Sequence, residues 1–530
     1  MKQTTSFNSP LKGLLSGLLF LLNFSLLCEK PFTGKREARG VWVTRWEYTT
    51  SLNTRNAAVQ QQKIIEIMKS ARRAKLNMVF FQVRGQADAC YPSHFEPWAA
   101  ELTDTLGKDP GWDPLQFAIE QAHRFGLELH AWFNTFTAWR GQMPPPATRP
   151  EHIYNAHPEW LCADSAGVPM SLNSHYVFVS PGIPEVREHV HQVAIDIVRN
   201  YNVDGIHFDY IRYPEKSNTR GYSHDSISVR RFHSLMENPQ GLSWEDWQRE
   251  QINLFVRRFY EEATALKPMV KISAAVIGKY DWSQWNGYHA VFQDARQWLE
   301  EGNMDFLVPM IYWRRHHPEA PFGKIAREWL EKYSYHRYIF PGINARKDNL
   351  PDWPEDELER QVEIIRHRNG RGMVFFSYSA LERHWENLGA ADQLVINFPK
   401  GFTYLANVPP MPWKDSHPPR PPRNLRVLKV SPDSIVIAWQ PSLPASDGDS
   451  AEYYNVYRST RTPVDISTAA NLLAITATAD TVFVDREMGK SMKYYYLVTA
   501  LDDGDNESLA SNEVEAIIPA VALADGRNHH

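Results

Sequence analysis

Eight short apolar runs recur between residues 37 and 379, most of them separated by a stretch with helical spacing. They are Glu37 to Arg45, Met78 to Arg84, Leu127 to Asn134, Val203 to Phe208, Val270 to Ile277, Met304 to Trp313, Tyr338 to Asn344 and Gly372 to Ser379. Between them, apolar residues fall one helical turn apart, as in Ile64, Ile65, Met68 and Ala71, or in Val186, Val190, Val193 and Ile197. The spacing predicts helices over Ala57 to Leu76, Asp113 to Phe125 and Pro184 to Asn200, and near 245–267, 289–301, 323–333 and 355–368. Strands that alternate with helices pair in parallel through right-handed crossovers. Eight such units across residues 37–405 have the count and size of an α/β fold, the (β/α)8 TIM-type barrel with insertions. A doubly wound open sheet is the structural competitor. No glycine-rich phosphate loop follows the first strand, which disfavours it.

One segment inside this series, Thr135 to Pro181, has little periodicity, with Pro144, Pro145 and Pro146 in a row and many aromatics. A connection of that length in a compact domain is usually functional. Around Val408 the pattern changes again. Seven prolines between Pro409 and Pro422 make residues 406–422 a stiff linker. Short strand patterns without helices follow over 423–518, from Asn424 to Lys429, Ser434 to Trp439, Tyr453 to Arg458 and Lys493 to Ala500. That is the size and pattern of a small all-β sandwich, and Trp439 with the Tyr-rich strands makes it resemble a fibronectin type III domain. Its expected role is spacer, or docking of protein or glycan. Residues 519–530 form a tail.

At the other end, Lys2 and Lys12 precede the apolar run Leu14 to Leu27, which is short for a membrane span. That layout makes residues 1–28 a signal peptide, and Cys28 stands where a lipidated cysteine would follow it. The expected setting is export, with a lipid anchor at Cys28 holding the protein to a membrane. The remaining cysteines, Cys90 and Cys162, either pair or stay as two buried thiols, and they form no metal-ligand spacing.

The 530 residues carry a net charge of -5 with no strong basic block, which excludes nucleic acid as the main partner. Hydrophobic content of 43% with 22% charged residues is that of a globular protein. Eighteen Trp within 12% aromatic content point toward carbohydrate, because flat rings stack on sugars.

Strand alternation then selects the chemistry. In Val203-Asp204-Gly205-Ile206-His207-Phe208-Asp209, Ile206 and Phe208 share one face and His207 and Asp209 the other. The same rule places Gln82 and Arg84, then His130, Trp132 and Asn134, then Met310 and Tyr312, then Gly342 and Asn344 on faces able to point into a barrel. Polar groups at the C-terminal ends of several strands are where barrel enzymes build their sites. No HExxH, CxxC or Gly-x-Ser-x-Gly pattern occurs, so no metal or other cofactor is expected and serine hydrolysis is disfavoured. What remains is carboxylate chemistry on a polyhydroxylated substrate, with an acid to protonate the leaving oxygen and a second group to meet the oxocarbenium ion. Asp209 is the first candidate acid, with His207, Arg84 or Arg212 to tune it. Asp88 ranks ahead of Glu47 and Asp281 as its partner, since it lies between Arg84 and Tyr91 in a patterned loop.

Five ordered motifs, RGVWVTR (39–45), FFQVRGQADACYPS (81–93), LHAWFN (129–134), DGIHFDYIRYP (204–214) and VPMIYW (308–313), resemble the glycoside hydrolase-like family 10 proteins. The resemblance covers residues 37–405 and implies a TIM-like barrel in an envelope protein acting on glycan, such as peptidoglycan strands stripped of peptides. By motif match it implies site roles for Arg84, Asp88, His130, Asn134, Asp209, Arg212, Tyr312 and Trp313. An exported barrel with this appended module also resembles lipoproteins of the Gram-negative outer membrane. The MIYW and DGIHFD segments are similar to family 18 chitinases, but the glutamate that ends the DxxDxDxE pattern is missing. The resulting expectation is a glycoside hydrolase acting on denuded peptidoglycan or another β-linked hexosamine polymer. Its rivals are a non-catalytic glycan-binding or scaffolding lipoprotein and, with less support, a polysaccharide deacetylase, which would need metal ligands.

Overall fold

The computed structural model describes residues 34–518, apart from 216–219, 346–352, 355, 382–401, 478–479 and 490–491. Cys28, the signal segment and the 519–530 tail lie outside the described residues. All eight apolar runs form strands of one parallel sheet. In chain order these are β1 (Ala38–Val43), β2 (Met78–Arg84), β3 (Glu128–Asn134), β6 (Gly205–Asp209), β7 (Lys271–Ile277), β8 (Phe306–Met310), the split strand β9 (Tyr338–Ile339) and β10 (Gly342–Asn344), and β11 (Gly372–Phe376). β11 pairs with β1 and β10 pairs with β8, so the sheet closes on itself as a TIM-type barrel.

The predicted helices pack outside it with few changes of boundary: Ala57–Arg73, Pro114–Arg124, Pro184–Asn200, Trp244–Leu266, Phe322–Lys332 and Glu357–His367. The exception is 289–301, where two short α-helices form instead, Gly287–Ala290 and Ala295–Glu300. Val79, Phe81, Leu129, Ala131, Ile206 and Phe208 face the helices and are fully buried. Their alternates Met78, Phe80, Trp132, Phe306 and Val374 fill the barrel interior.

The aperiodic segment after β3 holds an antiparallel pair that the sequence pattern does not announce. β4 (Thr137–Gly141) and β5 (Asn173–Phe178) form a ribbon at the C-terminal mouth, with Thr137 opposite Phe178. Cys162 lies in the excursion between them. It and Cys90 are both buried and free, so they do not pair.

The C-terminal region is a seven-stranded sandwich of fibronectin type III type. One sheet holds β12 (Arg423–Ser431), β13 (Ser434–Gln440) and β16 (Val482–Asp485), and the other β15 (Leu472–Ala477), β14 (Tyr453–Ser459), β17 (Lys493–Leu501) and β18 (Val514–Ile517). It does not stand away from the barrel on a stiff spacer. Val408 and Met411, apolar residues among the prolines, belong to the cluster that plugs the N-terminal end of the barrel. The Tyr338 hydroxyl donates to the Pro410 carbonyl at 2.7 Å, and the Trp413 indole donates to Asp305 Oδ1 at 2.8 Å.

The sandwich adds charge to this base. Lys271 Nζ lies 2.6 Å from Glu128 Oε1 and 2.6 Å from Asp505 Oδ2, the latter on the loop after β17. Burial disfavours every charge here. Lys271, helped by His130, nevertheless holds Glu128 down at about 2, while Asp505 and Glu128 hold Lys271 above its ordinary value. Burial, with the Glu128 charge beside it, pushes the Asp505 carboxyl well up despite Lys271. These directions favour one cation, one anion and one protonated acid in the network. Lys271→Met leaves Glu128 buried without its cation, and an expected loss of about 3–5 kcal/mol should appear in denaturant unfolding. Asp505→Asn keeps a neutral group in place and is expected to cost less than about 1 kcal/mol. Equal losses in the two proteins would contradict this charge assignment.

Candidate active site

The residues that share the interior face with Asp209 do not share its height. Register pairs Asn134 with Asp209, Trp132 with His207, and His130 with Gly205. At roughly 3.3 Å per residue, His207 lies about 7 Å and His130 about 13 Å below the level of Asp209. Both histidines are fully buried. His207 Nδ1 meets Ser273 Oγ at 2.9 Å and its Nε2 accepts the Trp42 indole N–H at 3.1 Å. Burial, with His130 nearby, depresses its pKa well below the ordinary histidine value, so the ring is neutral. His130 Nε2 meets Glu128 at 3.0 Å and its ring packs 5.0 Å from Phe80. The expectation that these two histidines contact substrate does not fit this arrangement. They are layers of the packed interior.

Asp209 ends β6 at the C-terminal mouth and is 7% exposed. Its Oδ1 accepts the Tyr210 backbone N–H at 2.7 Å and lies 3.5 Å from Arg212 Nη1. Burial raises its pKa above the ordinary carboxylate value, although Arg212, the Tyr210 amide and the Trp132 indole pull the other way. The indole Nε1 of Trp132 faces it without a completed hydrogen bond. Tyr312, stacked on Phe376 at 5.7 Å, lies close enough for burial and the Asp209 charge together to push its phenol well up. Tyr210, the residue after Asp209, has φ of 50°, a left-handed conformation that costs a non-glycine residue energy and is concentrated at functional sites.

The segment that follows Asp209 borders a cleft of about 420 Å³, lined by Tyr176, Phe178, Tyr210, Arg212, Glu215 and Tyr222 among others. The β4–β5 ribbon supplies Tyr176 and Phe178. The Tyr176 ring sits 5.2 Å from that of Tyr210, and Arg212 lies 4.5 Å from the Tyr210 centroid. Sequence reasoning missed Tyr176, Tyr210 and Glu215. Glu215 was within reach, since it directly follows the DGIHFDYIRYP motif.

Asp88 is placed elsewhere. It is fully buried, 2.6 Å from Arg45 Nη1, and accepts the Gln86 backbone N–H at 3.0 Å. Arg45 also pairs with Glu101 at 2.9 Å, and a side chain on Gly85 would stand 2.4 Å from the Arg45 guanidinium carbon. Asp88 thus anchors the loop after β2 to β1, which is a structural post and not a position facing substrate. Arg84 binds neither Asp209 nor Asp88. It pairs with Glu96 at 2.6 Å and donates to the carbonyls of Asn134 and Thr135, and so fixes the end of β3.

Asn134 donates to the Gly85 carbonyl at 2.9 Å, while its buried Oδ1 has no partner. Trp313 packs partly buried at the end of β8 with Lys279 Nζ 5.5 Å from its ring, and Asn344 ends β10 half-buried. Glu47 accepts from Ser377 Oγ at 3.1 Å and from the Thr44 amide at 2.6 Å, tying β1 to β11. Asp281 is exposed and meets His289 at 3.4 Å. Burial raises the Glu47 carboxyl as well, so among the sequence-predicted acids Asp209 is set apart by its immediate neighbours Tyr210 and Arg212, which line the cleft.

A model of the family described as Glycosyl hydrolase-like 10 matches residues 37–356. The chain is 27% identical over 534 residues to Glycosyl hydrolase YngK of Bacillus subtilis (strain 168), a match covering 94% of this chain and 98% of that protein. It is 27% identical over 363 residues to Glycosyl hydrolase DigH of Escherichia coli (strain K12), covering 62% of this chain and 79% of that protein. Among solved structures, the PgaB (BpsB) glycoside hydrolase domain from Bordetella bronchiseptica aligns with a TM-score of 0.46 at 13% identity, covering 68% of this chain and 99% of that one.

The raised pKa of Asp209 has a consequence for stability. A carboxyl whose folded pKa exceeds its unfolded value stabilises the fold fully below the unfolded pKa, and that contribution is lost as pH rises through the folded pKa. Asp209→Asn removes this loss. Its melting temperature relative to wild type is expected to rise between pH 4 and pH 8, as measured by calorimetry. A falling difference would show that the fold favours the ionised carboxylate.

Proposed function

The chain belongs to the Glycosyl hydrolase-like 10 family, and we propose that it is an exported glycoside hydrolase in which Asp209 acts as the general acid. The observation that carries this reading is a carboxyl at the end of a barrel strand, raised in pKa by burial, whose neighbours Tyr210 and Arg212 line an aromatic cleft. Glycosidic oxygen is a poor leaving group until protonated, and an acid that still holds its proton near working pH supplies that proton. Burial raises the pKa of Asp209 and so favours the protonated acid. Arg212 limits the shift, so the carboxylate left after proton transfer is not stranded without a cation. Tyr176 and Tyr210 line the cleft and offer aromatic rings on which a sugar packs.

The second group that meets the oxocarbenium ion is either Glu215, in the same cleft, or an N-acetyl group of the substrate. The substrate class we propose is denuded peptidoglycan or another β-linked hexosamine polymer. The apolar run ending at Cys28 supports export and a lipid anchor in the outer membrane of a Gram-negative cell. Cys28→Ala is expected to move the protein from the membrane to the soluble fraction after cell lysis.

Release of reducing ends from denuded peptidoglycan and from β-linked hexosamine polymers tests the reaction. Asp209→Asn is expected to lower kcat by about 10²–10⁴-fold. Activity of the wild type is expected to fall on the alkaline side as Asp209 loses its proton, with a midpoint above the ordinary carboxylate range. Equal activity in both proteins would remove Asp209 from the mechanism. Polymer binding without cleavage by the wild type would instead favour a glycan-binding scaffold.

A further inference from the structure

The loop after β7 carries Trp282 and Trp285 and takes no part in lining the cleft beside Tyr210 and Arg212. Its backbone is held firmly. Asn286, itself buried, donates to the carbonyls of Trp282 at 2.6 Å and Gln284 at 3.0 Å, and accepts the His289 amide at 2.8 Å. The Gly287 amide donates to the Lys279 carbonyl at 2.9 Å. Trp282 is anchored too, its indole N–H on Glu328 at 2.9 Å and Lys324 Nζ 4.4 Å from its ring.

Trp285 is different. Its indole is 40% exposed at the edge of an open cavity of about 560 Å³ that Asp281, Ser283, Gln284 and His289 also line. A single exposed apolar side chain signifies little. This one stands on a hydrogen-bonded turn and is ringed by a carboxylate, a hydroxyl, an amide and an imidazole. A flat ring beside such donors and acceptors suits a sugar, whose C–H face packs on the indole while its hydroxyls bond to the rim. The hydrogen bonds from Asn286 and Gly287 restrict the loop backbone, which lowers the conformational freedom that binding would cost.

Position identifies which sugar. β7 is the neighbour of β6 in the barrel, and both loops leave the C-terminal face. The Tyr213 amide donates to the Val291 carbonyl at 3.0 Å, and Gln293 donates to the Ile211 carbonyl at 3.2 Å. The segment carrying Tyr210 and Arg212 and the segment carrying Trp285 are thus one hydrogen-bonded body. We propose that Trp285 is a second, non-catalytic glycan subsite that binds a ring of the same polysaccharide chain whose scissile bond lies over Asp209. This rests on the glycosidase reading of that cleft. It makes the protein a polymer-acting enzyme that prefers long chains over short ones.

Binding and cleavage separate the two claims. Asp209→Asn protein is sedimented with insoluble denuded peptidoglycan, alone and combined with Trp285→Ala. The double variant is expected to bind about tenfold more weakly, and Trp285→Phe to restore most of the loss. In the otherwise wild-type protein, Trp285→Ala is expected to lower kcat/KM on the polymer about tenfold more than on a soluble tetrasaccharide. Binding that Trp285→Ala does not change, equal losses on short and long substrates, or no binding by Asp209→Asn protein would each overturn the subsite. Binding that depends on Trp285 while the wild type cleaves nothing would keep the subsite and overturn the hydrolase.

Discussion

A carboxyl group kept out of water at the end of β6 sets the terms for the rest of the barrel mouth. Ionising Asp209 in that place is unfavourable, because burial withdraws solvent and Arg212 gives only a 3.5 Å contact in return. The layers beneath make the burial possible. His207, neutral and wedged between Trp42 and Ser273, fills the level below without bringing a charge near. Had that histidine been protonated, it would have stabilised the carboxylate and drawn the proton off Asp209. The next residue, Tyr210, takes a left-handed conformation, and Tyr176 from the β4–β5 ribbon packs against its ring.

Charges at the opposite end follow another logic. The base of the barrel is closed by Val408, Met411 and a carboxyl from the sandwich, with Lys271 and Glu128 carrying one charge of each sign. Separating polar work in this way lets the mouth hold a perturbed acid while the base supplies stability. It also gives the C-terminal domain a structural part that its fibronectin-like pattern alone does not suggest. Its loop after β17 completes the base network through Asp505.

The eight strands were legible because apolar residues repeat at fixed periods, and that signal is local. Which face Asp209 and His207 share was legible for the same reason. Their depth was not. A period of two gives the face of a strand, whereas height depends on the register between strands, which pairs His130 with Gly205 and Asn134 with Asp209. Asp88 looked suited to catalysis for want of its partner. Arg45, 43 positions earlier, reaches it only after β1 and β2 are side by side. The ribbon that supplies Tyr176 escaped notice because its two strands are separated by the long excursion between Gly141 and Asn173. The prolines after Val408 read as a free spacer, since nothing local tells that Val408 and Met411 enter the barrel base.

The central claim is that Asp209 retains its proton where an ordinary aspartic acid has lost it. Titration of the Asp209 carboxyl by ¹³C NMR or infrared difference spectroscopy, assigned with the Asp209→Asn protein, reads this directly. A midpoint clearly above the ordinary aspartate value of about 3.9 is the result expected. A midpoint at or below that value would mean that Arg212 outweighs burial, and the group could not serve as the acid.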